Sequence, residues 1–372
     1  MRDPAEREHE LVLFGATGFT GALTAQYLAK NAPEGFRWAL AGRNRDKLEQ
    51  LRGKLRADVP ALIADASDPS SLRRVAEATR VVATTVGPYI RYGEPLVAAC
   101  AEAGTDYCDL TGEPEFVDRM YIGYDATARE TGARLVHCCG FDSIPADLGA
   151  YFTVTQLPEG VPIRLAGFLR VRGRPSGGTV ASARTIISRL PQGVAIARRR
   201  RRAEPAPASR AVRTSTGRPH YEHAVGAWVL PLPVIDPQIV RRSAQALDRY
   251  GPEFTYRHYL ALGGTGSDMW SMLRRGLLKP GEGPSPEERA ESWFKMRFVG
   301  EGGGRRVMTE VSGGDPGYDE TSKMLGETGM CLARDDLPAR SGQLTTASAM
   351  GDALVDRLRR AGITFEVLET TG

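Results

Sequence analysis

Apolar positions in residues 9–138 fall into short runs separated by helical patterns. Runs at 10–14, 36–41, 61–64, 81–86, 106–108 and 134–138 have the length and composition of strands rather than helices. Between them, Leu48, Leu51 and Leu55 mark one face of a helix over 44–55. A second helix over 94–103 ends at Gly104, where a left-handed glycine can close the last turn. Six strands alternating with helices predict an α/β fold, a doubly wound parallel sheet covered on both faces.

Beyond about residue 149 the rhythm changes. Residues 163–171 alternate as a half-exposed strand does, and 255–262 form another strand candidate. The runs 293–299 and 305–311 flank Gly300-Glu301-Gly302-Gly303-Gly304 as a hairpin. This pattern predicts a second, mixed α+β domain. At the end, 345–361 reads as a helix with Leu354, Val355 and Leu358 inward and Gly362 as its stop, followed by an apolar strand at 363–368. The expected division is a first domain over 1–149, a mixed-sheet domain over 150–340, and a C-terminal helix and strand over 341–372 returning to the first domain.

Composition adds bounds. A chain of 372 residues exceeds what one core usually serves, and 41% hydrophobic with 25% charged residues describes a globular protein. The apolar stretch 224–235 is broken by Pro231 and Pro233 and is too short to span a bilayer. The first ten residues are mixed in charge and no Ala-x-Ala site follows, so no secretion leader is expected. Cys100, Cys108, Cys138, Cys139 and Cys331 form no Cys-x-x-Cys pair, and their odd number fits a reducing, cytoplasmic setting.

The strongest chemical signal is the first strand running into Gly15-Ala16-Thr17-Gly18-Phe19-Thr20-Gly21 and then a helix. In a Rossmann-type fold Gly15 permits the tight exit from the strand, Gly18 lets backbone amides approach a pyrophosphate, and Gly21 lets the helix pack on the sheet. The helix N-terminus then faces the anion. At the end of the second strand an acid would bind the ribose diol of NAD. Here stand Gly42, Arg43 and Asn44, and Arg43 can pair with a 2′-phosphate, which points to NADP(H). Asp65 follows the third strand, where it meets the adenine edge or caps a helix.

The fourth strand leads into Val86-Gly87-Pro88-Tyr89 at the carboxyl edge of the sheet, where ligands bind in such folds. Val86, Gly87 and Pro88 are therefore assigned to the nicotinamide. Tyr89, Asp142 and Ser143 are candidate catalytic groups, and Tyr107, Asp109 and Glu113 candidate substrate groups. Glu113 and Asp142 also suit the opening of a helix.

These segments resemble the saccharopine dehydrogenase-like oxidoreductases, and among them the trans-acting enoyl reductases. The resemblance extends through Tyr92-Gly93, Tyr107-Cys108-Asp109-Leu110-Thr111-Gly112-Glu113, Cys139-Gly140-Phe141-Asp142-Ser143-Ile144-Pro145-Ala146-Asp147, Ser176-Gly177-Gly178-Thr179, Gly317-Tyr318 with Thr321, and Ala347-Ser348-Ala349-Met350-Gly351-Asp352. It implies an NADP-dependent oxidoreductase that reduces an enoyl group of an acyl, polyketide or lipid substrate in trans. The alternatives are a reductase of imine or amino-acid adducts, or an NADP(H)-binding protein without turnover.

A short-chain dehydrogenase is disfavoured, because Tyr318 is followed four positions later by Ser322 rather than lysine. His220 and His223 sit between Pro219 and a strand-like run, not on a clear helix, so no metal site is expected. Eight arginines and one glutamate lie between Arg189 and Arg213, leaving the rest of a chain of formal net charge +4 at −3. The unbroken run Arg198, Arg199, Arg200, Arg201 and Arg202 reads as a solvated loop or as a contact for an acyl carrier protein or anionic membrane surface. No nucleic-acid motif accompanies it. Oligomeric state is left open, a homodimer being one outcome.

Overall fold

A computed structural model describes residues 6–55, 57–173, 188–204, 210–262 and 283–372. The expected motif Ser176–Thr179, together with Pro205 and Pro207, lies outside them. The six apolar runs form β1 (His9–Phe14), β2 (Trp38–Gly42), β3 (Ala61–Ile63), β4 (Thr79–Thr84), β5 (Asp106–Asp109) and β6 (Arg134–Val136), all parallel in the order β6-β5-β4-β1-β2-β3. β1 is buried along its whole length, as a central strand covered on both faces must be.

Two strands end earlier than their apolar runs. Residues 85–86 leave the ladder because the Thr85 amide donates to Phe14 O (3.0 Å) and its hydroxyl to Gly15 O (3.1 Å), tying that segment to the glycine turn. Residues 137–138 leave it because Cys138 adopts φ +63°, a left-handed conformation that extended backbone does not allow.

The second sheet is built from β7 (Ile163–Arg172), β8 (Ala211–Thr214), β9 (His220–Glu222), β10 (Ala227–Pro231), β11 (Glu253–Ala261), β12 (Trp293–Gly302) and β13 (Arg305–Gly313). Pairing is mixed: β12 runs antiparallel to both β7 and β13, whereas β11 is parallel to β7 and β8. The hairpin turns at Gly303 and Gly304, both left-handed.

Two late strands complete the sheets. β14 (Gly342–Leu344) adds to β6 in parallel, and β15 (Thr364–Thr371) pairs antiparallel with β13. The run 363–368, expected to return to the first domain, instead closes the second sheet as β15, and the strand that does join the first sheet is β14, which the sequence pattern did not mark. The single helix expected over 345–361 is two, Thr346–Ala349 and Asp352–Arg360, because Gly351 at φ +49° interrupts the turn.

Helix Asp319–Arg334, placed by sequence in the second domain, packs against helix Phe19–Asn31 and against β1, β4 and β5. It is buried on nearly every side. Its glycines explain how it fits: a Cβ at Gly326 would stand 2.8 Å from the Tyr27 ring, and one at Gly329 2.9 Å from Leu11. One continuous cluster of buried side chains accordingly joins the two sheets, from Leu11 and Leu28 through Met324 and Met330 to Phe294, Phe298 and Phe365. No helix among the described residues is long and apolar enough to cross a membrane.

Candidate functional site

The glycine turn has the geometry of an anion cradle. Gly15 leaves β1 at φ +85°, its amide donating to Ala41 O (2.9 Å), and Gly18 closes the turn by donating to Gly15 O (3.0 Å). A Cβ at Gly21 would lie 2.2 Å from Gly15 O, so the helix approaches as closely as a bare Cα permits. A Cβ at Gly18 would meet only Gly15 O at 3.4 Å and otherwise enter open space, where a pyrophosphate would sit. Helix Phe19–Asn31 has no side-chain cap, leaving its first amides for a ligand. Ala16 is buried and Thr17 exposed. Phe19 leans on Tyr318 with rings 4.8 Å apart, fixing the far wall of the turn.

At the end of β2, Arg43 is exposed. Asn44 is a helix cap, its Oδ1 accepting from the Lys47 amide at 2.9 Å. Asp65 turns onto its own loop: its Oδ1 accepts from the Ser67 amide (2.8 Å) and hydroxyl (2.7 Å). Those bonds, with Arg43 nearby, hold its carboxyl below the usual range. The residues thus fit a dinucleotide whose adenosine end carries an extra phosphate beside Arg43.

The carboxyl edges of β4, β5 and β6 converge on a buried polar knot. Glu113 accepts from the amides of Tyr89 (3.0 Å) and Ile90 (2.9 Å), so its carboxylate fixes the chain just after Pro88. Tyr89 turns its hydroxyl inward, donating to Thr84 O (3.0 Å) and accepting from the Leu110 amide (3.2 Å); burial holds it un-ionised. Asp109 is fully buried. It accepts from the Thr111 and Cys138 amides (3.1 Å each) and the Tyr107 hydroxyl (2.9 Å), and meets His137 Nδ1 at 2.7 Å.

These placements revise the expected roles. The hydroxyls of Tyr89 and Tyr107 and the carboxylates of Asp109 and Glu113 are used up inside the protein, so they shape the site rather than touch substrate. Ser143 is also buried, its hydroxyl donating to Asp142 O at 2.7 Å. Asp142 differs. It is only partly buried, with its carboxyl beside Gly112 and Gly140, and desolvation first, then the charges of Asp109 and Glu113, push it up to about 7. Gly140 is held against Leu110 and Thr321, and the Phe141 amide donates to Thr321 Oγ1 at 3.2 Å, so the helix after Tyr318 braces this loop.

Sequence reasoning missed His137, whose ring locks the knot, and the inward role of Arg200. His137 carried a faint signal, being the polar residue in an otherwise apolar run. The arginine run is not a loop: it ends the helix Leu190–Ala203, with Arg198, Arg199, Arg201 and Arg202 exposed and Arg200 only 3% exposed. Arg200 pairs with Glu204 (3.0 Å), donates to Gln343 Oε1 (2.6 Å) and lies over the Tyr121 ring.

A family model described as the saccharopine dehydrogenase NADP binding domain matches residues 11–136. Trans-acting enoyl reductases of Mycobacterium ulcerans and Mycobacterium tuberculosis are 38% and 39% identical to the chain. The first match covers 96% of this chain and 97% of the relative, the second 97% and 98%. The chain belongs to the trans-acting enoyl reductase family. The fold extends further: a saccharopine dehydrogenase (L-Glu forming) from Saccharomyces cerevisiae aligns over 98% of this chain and 100% of its own, with a TM-score of 0.61 at 10% identity. The family member described here is an NADP-dependent oxidoreductase whose dinucleotide domain is the parallel sheet with its glycine turn.

Proposed function

We propose that this protein reduces the C=C bond of an enoyl group carried on an acyl, polyketide or lipid chain held by another protein, with Asp142 as proton donor. When bound, NADPH supplies the hydride. The chain's own residues bind, orient and protonate. Gly15, Gly18 and the amides opening helix Phe19–Asn31 hold the pyrophosphate, and Arg43 holds the 2′-phosphate. Val86, Gly87 and Pro88, fixed from behind by Glu113, form the backbone wall beside the reacting carbon. The reading is supported by the place of Asp142, whose carboxyl stands beside Gly112 and Gly140 at the sheet edge, where burial and neighbouring carboxylates raise it toward neutrality while the surrounding polar groups bond within the protein.

A groove of about 220 Å³ starts beside Glu113; one wall is apolar, with Ile90, Pro114, Leu190, Val194 and Ala197, and suits an acyl chain, while Glu115, Asp118, Arg189, Arg201 and Gln238 make the remainder polar. Leu190 and Val194 are more than half and half exposed, respectively, which a chain lying along the helix would cover. Exposed Arg198, Arg199, Arg201 and Arg202 give that rim a positive field for an acidic carrier.

The test is the loss of NADPH absorbance with enoyl thioesters offered free and on a carrier protein. Oxidation that depends on the enoyl group supports the proposal. Tight nucleotide binding without oxidation across the panel would instead identify a non-catalytic binding protein.

A further inference from the structure

A second cavity, of about 450 Å³, opens where helices Pro114–Thr131, Leu190–Ala203 and Asp236–Ala246 meet the segment 339–348. It lies past β6 and β14 on the same sheet edge as the cofactor wall. From β4 to β6 and β14 is two to three strands, roughly 10–14 Å at ~4.8 Å per strand. None of the glycine-turn residues lines it.

Its lining is strongly basic. Arg129, Arg200, Arg242 and Arg340 converge on it with His137. Three carboxylates partly compensate: Asp125 on Arg129 (2.8 Å), Glu204 on Arg200 (3.0 Å), and Asp118 on Arg242 and, at 3.4 Å, on Arg200. Four guanidiniums against three carboxylates leave one positive charge over. Arg242 is 7% exposed, and burial lowers it only to about 10, so it remains cationic at neutral pH. Its Nε and Nη1 have no partner among the described residues, nor do His137 Nε2 and Gln245 Oε1. Buried polar groups left without a partner are costly, so a ligand that meets them is favoured.

We propose that this cavity is a binding site for a phosphate monoester, separate from the dinucleotide cradle. Guanidiniums reach it from different walls, Arg242 on one side with two nitrogens unpartnered among the described residues and Arg340 at the rim with Nη1 on Ala246 O (3.0 Å). A tetrahedral oxyanion accepts from all of these directions, whereas a planar carboxylate serves one fork. The bare Gln245 Oε1 requires a donor, which the hydroxyl of a singly protonated phosphate or an adjacent hydroxyl or amide of the ester supplies. His137 faces Asp109 through Nδ1 and contributes to the cavity wall. Two sources share this chemistry: a small phosphorylated metabolite and free phosphopantetheine, which is a monoester until a carrier takes it up as a diester. The inference does not rest on the enoyl reading.

Calorimetry with the protein saturated by NADPH tests it, because the cradle is then closed to competing phosphate. The probes are inorganic phosphate, phosphopantetheine and acetate. One site for phosphate is expected, with acetate at least tenfold weaker. Arg340→Ala, at an exposed rim position that leaves the Asp118 pairs intact, should weaken phosphate by about tenfold or more without changing NADPH affinity or melting. Phosphopantetheine binding tenfold tighter than phosphate assigns the site to a pantetheine-bearing ester; equal affinity assigns it to a smaller phosphate ester. Absence of phosphate binding to the wild type, or an Arg340→Ala variant that binds as the wild type does, overturns the proposal and leaves a water-filled cavity. Because no turnover is read, inactivity toward enoyl thioesters leaves this result unaffected.

Discussion

Replacing Asp142 by Asn removes a charge that burial disfavours while keeping the shape of the side chain. The ordinary carboxyl value of 3.8 is raised to about 7, which corresponds to at most about 4 kcal/mol of penalty on the ionised form. Below pH 3.8 native and unfolded chains both carry the proton and the group contributes nothing. Between 3.8 and about 7 the native protein holds a proton that the unfolded chain has released, so stability falls as pH rises. Above 7 both are ionised and the full penalty stands. Asn never ionises, so Asp142→Asn should gain stability over the wild type by about 2 kcal/mol between pH 5.5 and 8.5, less whatever water relieves at this partly exposed carboxyl. Urea unfolding at the two pH values measures that difference. In the same variant turnover of an enoyl thioester should fall by about 10²–10⁴, and the limb of the kcat profile near pH 7 should vanish. A variant equally destabilised at both pH values, with turnover intact, would refute the reasoning.

Gly18→Val should abolish NADPH binding in calorimetry yet leave melting unchanged, since its side chain enters the open cradle, whereas Gly21→Ala drives a methyl into Gly15 O and should lower unfolding stability by about 1–3 kcal/mol. Arg43→Ala should weaken NADPH by about tenfold to a hundredfold and leave NADH affinity unchanged; equal loss for both nucleotides would show that Arg43 does not read the 2′-phosphate. Converting Arg198, Arg199 and Arg202 to Ser should raise KM for a carrier-bound substrate, more at low than at high salt, without altering free thioester kinetics. Arg200→Ser should instead destabilise the protein by about 1–3 kcal/mol, measured by urea unfolding, because Glu204 loses its partner and Asp118 keeps only Arg242 and Gln238.

Six of the first sheet's seven strands were legible because each is a short apolar run between helices, β14 being the exception, and the glycine turn because three glycines at fixed spacing after β1 have few other uses. The Glu94–Ala103 helix was legible to the residue, since Gly104 takes the left-handed conformation its position implied. Long-range choices were not legible. Nothing local in residues 319–334 says that this helix belongs on the first sheet; Gly326 and Gly329 acquire their meaning only against Tyr27 and Leu11. The polar candidates at the sheet edge were found by position, but position cannot separate Asp142, which stays partly open, from Asp109, whose two oxygens are consumed by backbone amides, Tyr107 and His137. The arginine run misled for a related reason: one-signed charge argues for solvent, and only Asp118 and Glu204 across the fold make room for Arg200 inside.

The late arrival of β14 has a consequence for biosynthesis. Its neighbour β6 leaves the ribosome about 200 residues earlier, which at ~5–20 residues per second is roughly 10–40 s of translation. Throughout that interval the nascent parallel sheet has a bare β6 edge, and the face later occupied by helix Asp319–Arg334 stands uncovered beside Leu11 and Leu28. The nucleotide cradle, complete once β4 has been made, is the part that a cellular dinucleotide could steady while the remainder is still being synthesised. A cell starved of that nucleotide should therefore lose newly made copies of this protein faster than mature ones.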